Sequence, residues 1–127
     1  MVNESDSLII ALMPAASGCN GYRQLSLRYG MLDDGCNGQY YDYMDCAWLI
    51  APGQGRITLS FTRFDTELDY DFVNVYDGRD GPLIGTYSGH SLPPTIISTG
   101  SSLHVTFHSD SGVRGTGFHA VYSTEGI

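Results

Sequence analysis

Positive charge is scarce in this chain: 6 basic side chains stand against 14 acidic ones, for a formal net charge of -8. Phosphate backbones require the opposite sign, which argues against a nucleic-acid partner and favours cationic partners or metal ions. Long apolar runs are missing as well. The longest, Leu8 to Met13, is of strand length and far short of a membrane span. Charged residues make up only 16% of the chain, and no helical apolar repeat survives the glycine and proline breaks, so helical classes are disfavoured. There is no Gly-x-Ser-x-Gly elbow and no Cys-His constellation with local support. Gly115-Thr116-Gly117 leads into a strand pattern, so it does not make a phosphate-cradling loop. A non-catalytic protein is expected.

What the chain does have is 127 residues, room for one domain with a real core, along with 16 glycines and 9 tyrosines. Its 42% apolar content argues against disorder. Apolar and polar residues alternate with period two through Leu25, Leu27 and Tyr29, then Ile57, Leu59 and Phe61, then Leu103, Val105 and Phe107, then Phe118, Ala120 and Tyr122. Each such segment reads as a strand with one buried face. Pro52 to Gly55, Asp77 to Gly81, Leu92-Pro93-Pro94 and Gly112 to Gly117 punctuate them as turns. An all-β sandwich of eight or more short strands follows. Trp48, the sole tryptophan, is expected between the sheets, with a sugar platform as the alternative. His104 and His108 share one strand face, as solvent-facing residues or as ligands for a soft metal.

The densest chemistry lies in Phe64-Asp65-Thr66-Glu67-Leu68-Asp69-Tyr70-Asp71-Phe72-Val73-Asn74-Val75-Tyr76-Asp77-Gly78. Aromatic and β-branched residues at both ends read as two strands, which crowds the carboxylates between them into one short connection. Like charges at close range raise one another's pKa unless a cation neutralises them. A hard cation with oxygen ligands is the simplest relief, and calcium is the first candidate. Glu67 and Asp71 as a glycosidase pair is the weaker reading, since nothing in the sequence sets their separation. The alternative to an ion site is that Asp65 and Asp77 are turn residues and the other carboxylates are solvated loop charges.

Phe64-Asp65-Thr66-Glu67, Tyr70 to Val73, Tyr76-Asp77-Gly78, Phe107 to Asp110 and Gly117 to Tyr122, with Cys46 to Ile50 upstream and Tyr87-Ser88-Gly89 and Ser98-Thr99-Gly100 between, stand in an order that resembles a CUB domain over roughly residues 19–122. The resemblance implies an all-β, two-sheet jelly-roll sandwich over residues 19–124, an N-terminal arm over 1–18 and a tail over 125–127. It implies a calcium ion held by Glu67, Asp71 and Asp110, with main-chain oxygens of Ser111 or Gly112 and waters completing the shell, and Tyr40 supporting the site. Val113 stands where the family often has a short polar residue, which leaves the site one side-chain ligand poorer. A disulfide between Cys19 and Cys46 is implied. The family's second disulfide has no counterpart, because Asp69, not a cysteine, stands directly before Tyr70 and Ser88 stands at the other position. Tyr41 and Tyr43 read as half-exposed strand-edge residues.

The function implied is an extracellular recognition module whose calcium-ordered loop end receives a lysine or arginine from a protein partner. Two alternatives stay open: a filament or coat subunit assembled through Leu8, Ile9, Ile10, Ala11, Leu12 and Met13, and a sandwich that binds glycan through exposed tyrosines. The apolar segment pairs either with its own domain or with a neighbour. Cys36, the third cysteine, is either a free surface thiol or a link to another chain. Asn3-Glu4-Ser5 is an acceptor-type glycosylation triplet, compatible with secretion. Glu4 and Asp6 are acidic where a signal peptide needs basic residues, so the start reads as mature chain with any export signal upstream.

Overall fold

A computed structural model describes residues 19–36 and 38–124. The expected N-terminal arm, with its strand over residues 8–13 and the triplet at Asn3, and the tail over 125–127 lie outside the described residues. Nine strands are present among those described: β1 Gly21–Leu25, β2 Tyr29–Asp33, β3 Asp45–Ile50, β4 Ile57–Asp65, β5 Phe72–Tyr76, β6 Leu83–Tyr87, β7 Ile96–Ile97, β8 Leu103–His108 and β9 Gly117–Thr124. They form a four-stranded sheet, β2-β9-β4-β7, and a five-stranded sheet, β1-β3-β8-β5-β6. The all-β two-sheet expectation holds.

The core follows from the alternation. Ile57, Leu59 and Phe61 of β4 and Phe118, Ala120 and Tyr122 of β9 face Trp48 and Ile50 of β3, Leu103, Val105 and Phe107 of β8 and Val73 and Val75 of β5, all of them buried. Burial of apolar side chains at this density is the main force holding the sheets together. Trp48 stands edge-on to Phe118, with ring centroids 5.8 Å apart, inside the sandwich as expected. A disulfide joins Cys19 to Cys46 beside the short parallel pair of β1 and β3, which begins at Gly21 and Cys46. Closing that loop stabilises the fold by roughly 3 to 4 kcal/mol in the chain-entropy model.

Two expectations change. The alternation through residues 24–29 does not make one strand: β1 pairs with β3 in one sheet and β2 pairs with β9 in the other, so residues 26–28 carry the chain across the sandwich. Leu27 and Tyr29 are exposed in consequence. Tyr41 and Tyr43 are not at a strand edge either, because they lie in the loop between β2 and β3, where Tyr43 holds a positive φ of 56°. A bulge in β4, opposite the step from His119 to Ala120, lets both Phe61 and Phe64 turn inward.

Candidate metal centre

Three loops meet at one end of the sandwich: residues 40–44 before β3, 66–71 between β4 and β5, and 109–116 between β8 and β9. The middle loop closes through a turn in which the N–H groups of Tyr70 and Asp71 both donate to the carbonyl of Glu67, at 3.3 and 3.0 Å. Asp69 adopts φ 67° to complete it, a conformation that Asp tolerates better than most residues. Thr66 is buried and fastens this loop at both sides: its hydroxyl donates to the carbonyl of Asp71 at 3.0 Å and accepts the N–H of Gly89 at 3.1 Å. Ser109 does the same for the last loop, donating to the Tyr41 carbonyl at 2.7 Å and accepting the Met44 N–H at 2.8 Å. Sequence reasoning passed over both residues. Their signal, a hydroxyl directly beside an acidic residue, is too common to single out.

These fastenings bring together Glu67, Asp71 and Asp110, each offering a carboxylate oxygen within 4.8 Å of the others. Asp71 is fully buried, and both of its oxygens are engaged, Oδ2 by the Tyr40 hydroxyl at 2.5 Å and Oδ1 by the Asp110 N–H at 2.9 Å. The Tyr40 oxygen also accepts the N–H of Glu67, at 2.9 Å. Tyr40 itself is buried edge-on to Phe107, with centroids 5.1 Å apart, so its hydroxyl is fixed in place. Glu67 Oε1 and Asp110 Oδ1 are shielded from solvent and accept no hydrogen bond. Burial raises the pKa of Glu67, and the charges of Asp110 and Asp71 raise it further. Burial also raises that of Asp71, against the lowering effect of the Tyr40 hydrogen bond.

A buried carboxylate oxygen without a donor is costly, and two beside a third carboxylate are more so. Protons or a cation relieve the cost. The donors are all hard oxygens, and an engaged carboxylate oxygen keeps a second lone pair, so the set fits a hard divalent cation. Ser111 and Gly112 follow in an exposed turn, with Gly112 at φ 107°, and Val113 is 67% exposed.

The other singled-out residues take separate places. Asp65 ends β4 and is not a free turn charge: Oδ2 accepts the N–H and hydroxyl of Thr116 at 2.9 and 3.0 Å, and Oδ1 meets His90 Nδ1 at 2.5 Å. Burial pulls its carboxyl up, but these partners outweigh burial and hold it below the usual range. Asp77 accepts the N–H and hydroxyl of Thr99 at 3.0 and 2.7 Å. His104 lies against Tyr76, with ring centroids 5.4 Å apart, while His108 Nδ1 pairs with Asp45 at 2.8 Å. Neither histidine joins the acidic group.

Cys36 has no disulfide partner among the described residues, and it is half-buried rather than a surface thiol. Burial first, then the neighbouring Asp34, push its pKa up to about 11, so little thiolate exists at neutral pH. Sequence reasoning missed Asp34. Fully buried, it accepts the N–H groups of Cys36 and Phe118 at 2.8 and 2.9 Å, and Arg63 lies 3.7 Å away.

The family model of the CUB domain matches residues 22–122. Tolloid-like protein 2 of Mus musculus is 34% identical over 116 residues, covering 86% of this chain and 11% of that protein. Cubilin of Sus scrofa is 38% identical over 117 residues, covering 84% of this chain and 3% of cubilin. The chain therefore spans a small part of the relatives it matches. Among solved structures, the full extracellular region of zebrafish Gpr126/Adgrg6 superposes with TM-score 0.72 at 27% identity, over 87% of this chain and 15% of that one. The MASP-1 CUB2 domain bound to Ca2+ superposes with TM-score 0.74 at 23% identity, over 84% of this chain and 100% of that one, a likeness of fold. With the match spanning β1 to β9, this chain belongs to the CUB domain family.

Proposed function

We propose that this chain is a non-catalytic extracellular recognition module, in which a calcium ion held by Glu67, Asp71 and Asp110 orders the loop end for a protein partner. The observation that carries the reading is the pair of shielded, unpartnered oxygens, Glu67 Oε1 and Asp110 Oδ1, beside a fully buried Asp71. A divalent ion supplies the positive charge these oxygens lack. Tyr40 holds Asp71 and the Glu67 backbone in register, and carbonyls of Ser111 or Gly112 with waters complete the six to eight ligands typical of calcium. Once their geometry is fixed, the same carboxylates accept charge-assisted hydrogen bonds from a lysine or arginine of the partner. Affinity for that partner then falls with chelator and with salt.

No observation gives the other readings a comparable anchor. Assembly through residues 8–13 falls outside the described residues. The exposed tyrosines are divided, with Tyr22 on β1 of one sheet and Tyr29 on β2 of the other, apart from Tyr43 and Tyr70 on the loops of the acidic end, so the four form no single sugar platform. Among the described residues no helix is long and apolar enough to cross a membrane. A calorimetric titration with calcium tests the reading: the native chain binds and Asp110→Ala does not. Absence of binding by the native chain, or equal binding by both, overturns it.

A further inference from the structure

We infer that the loop end reads a short segment of its partner, a lysine or arginine flanked by apolar side chains, with the flanks received by a rim made of Tyr43, Leu68, Tyr70 and Val113. The inference rests on the acidic-site reading above and adds a specificity to it. Each of the three loops that build the carboxylate cluster also exposes a large apolar side chain: Tyr43 at 69%, Leu68 and Tyr70 both at 60%, and Val113 at 67%. Leu68 directly follows Glu67, Tyr70 directly precedes Asp71, and Val113 closes the turn that Asp110 opens. The N–H of Tyr43 donates to the carbonyl of Asp110 at 3.2 Å. Scattered exposed apolar residues need no explanation, but four on the loops that surround one charged centre form a contact surface.

Two features show that the rim is held in place. Tyr43 keeps a left-handed backbone, φ 56°, which is uncommon for a bulky residue and costs on the order of 1 kcal/mol or more. Leu68 leans on Gly89, whose own φ is 93° and where an added Cβ would lie 3.0 Å from Leu68 Cδ1. A desolvated charge ringed by apolar groups that exclude water is the anatomy of an interface hot spot. The aliphatic stem of a lysine also packs against such a rim while its ammonium reaches inward.

Charge selects the occupant. Asp42 and Asp69 add exposed acidic groups near the centre, and the nearby cations are already engaged, Arg114 with Asp42 at 3.5 Å and His90 with Asp65. An acidic surface of this kind repels anionic lipid and attracts a basic segment. At a net charge of -8 a second copy of this chain is repelled by the acidic surface, so the occupant is a different, basic protein.

The test uses capped peptides Gly-Gly-Lys-Gly-Gly, Gly-Phe-Lys-Leu-Gly and Gly-Phe-Gln-Leu-Gly, titrated into the full chain with calcium and followed by NMR shifts. The apolar-flanked lysine peptide binds about tenfold more tightly than the glycine-flanked one, the gain from partly burying one or two apolar side chains. The glutamine peptide does not bind. In a Leu68→Ser/Tyr70→Ser/Val113→Ala variant, which adds no oxygen ligand at position 113, the two lysine peptides bind equally, and its unchanged calcium-dependent rise in melting temperature shows that the fold and ion site persist; Leu68→Ser alone gives an intermediate ratio. Equal binding of both lysine peptides to the native chain overturns the rim and spares the acidic site. No lysine binding in the presence of bound calcium overturns the acidic-site reading and the rim with it. Calcium-dependent sedimentation with phosphatidylserine vesicles that the triple variant abolishes assigns the rim to a membrane and also overturns the inference.

Discussion

Gly117 opens β9 with φ 93°, and a Cβ there would overlap Oδ2 of the buried Asp34. Both the backbone conformation and the close approach require glycine, so Gly117→Ala is expected to destabilise by about 3 kcal/mol or more, read from denaturant midpoints. Tyr40 is the second residue on which much depends. Tyr40→Phe keeps the buried ring against Phe107 but removes the donor to Asp71 and the acceptor of the Glu67 N–H. Leaving both groups unpaired costs about 1 to 3 kcal/mol. The same variant should weaken calcium binding, whereas the surface change Tyr22→Phe should alter neither quantity. Equal stability of Tyr40→Phe and the native chain would remove Tyr40 from its supporting role.

At the scale of elements, the connection between β4 and β5 is strapped to residues 88–90. Thr66 exchanges two hydrogen bonds with Gly89, and the N–H of Asp69 donates to Ser88 Oγ at 3.0 Å. This hydrogen bond lies at the positions where the family resemblance places a second disulfide. Asp69→Cys/Ser88→Cys should therefore oxidise to a bridge, seen as a mass loss of two hydrogens, and raise stability by about 3 kcal/mol in the chain-entropy model. A double variant that stays reduced in air would mean that these side chains do not face one another. Strands β4, β8 and β9 were legible in the sequence because one face of each is buried through Ile57 to Phe61, Leu103 to Phe107 and Phe118 to Tyr122, which imposes period two. The crossing at residues 26–28 was not, since alternation continues while the chain changes sheets. Glu67, Asp71 and Asp110 were legible through the family motif. Asp34 was hidden, because its partners Phe118 and Arg63 arrive from distant strands and its own surroundings, Asp33-Asp34-Gly35, read as an ordinary turn.

Over the whole molecule, an excess of negative charge is concentrated at the loop end. Asp34, Glu67 and Asp71 all have pKa values raised above their ordinary 3.8, 4.5 and 3.8. The folded chain therefore holds these protons more tightly than the unfolded chain does. Their contribution to stability is complete below the ordinary values and is lost as pH rises through the raised ones. Asp65 has the opposite sign, and its contribution is lost as pH falls below its ordinary 3.8. In chelator, the melting temperature should fall as pH rises from about 4 toward neutrality on account of the raised group. In calcium the fall should be reversed, because the ion neutralises Glu67 and Asp71 and competes best when protons are scarce. A calcium-dependent gain that shrinks as pH rises would contradict this assignment.

The most direct test of the central claim is the melting temperature of the native chain and of Asp110→Asn, each measured at neutral pH in calcium and in chelator. At calcium about a hundredfold above Kd, binding to the folded state alone adds about 2.7 kcal/mol, a rise of several degrees for a domain of this size. The account predicts that rise for the native chain and its loss in Asp110→Asn. Identical melting of the native chain in calcium and chelator, or an undiminished rise in the variant, would contradict it.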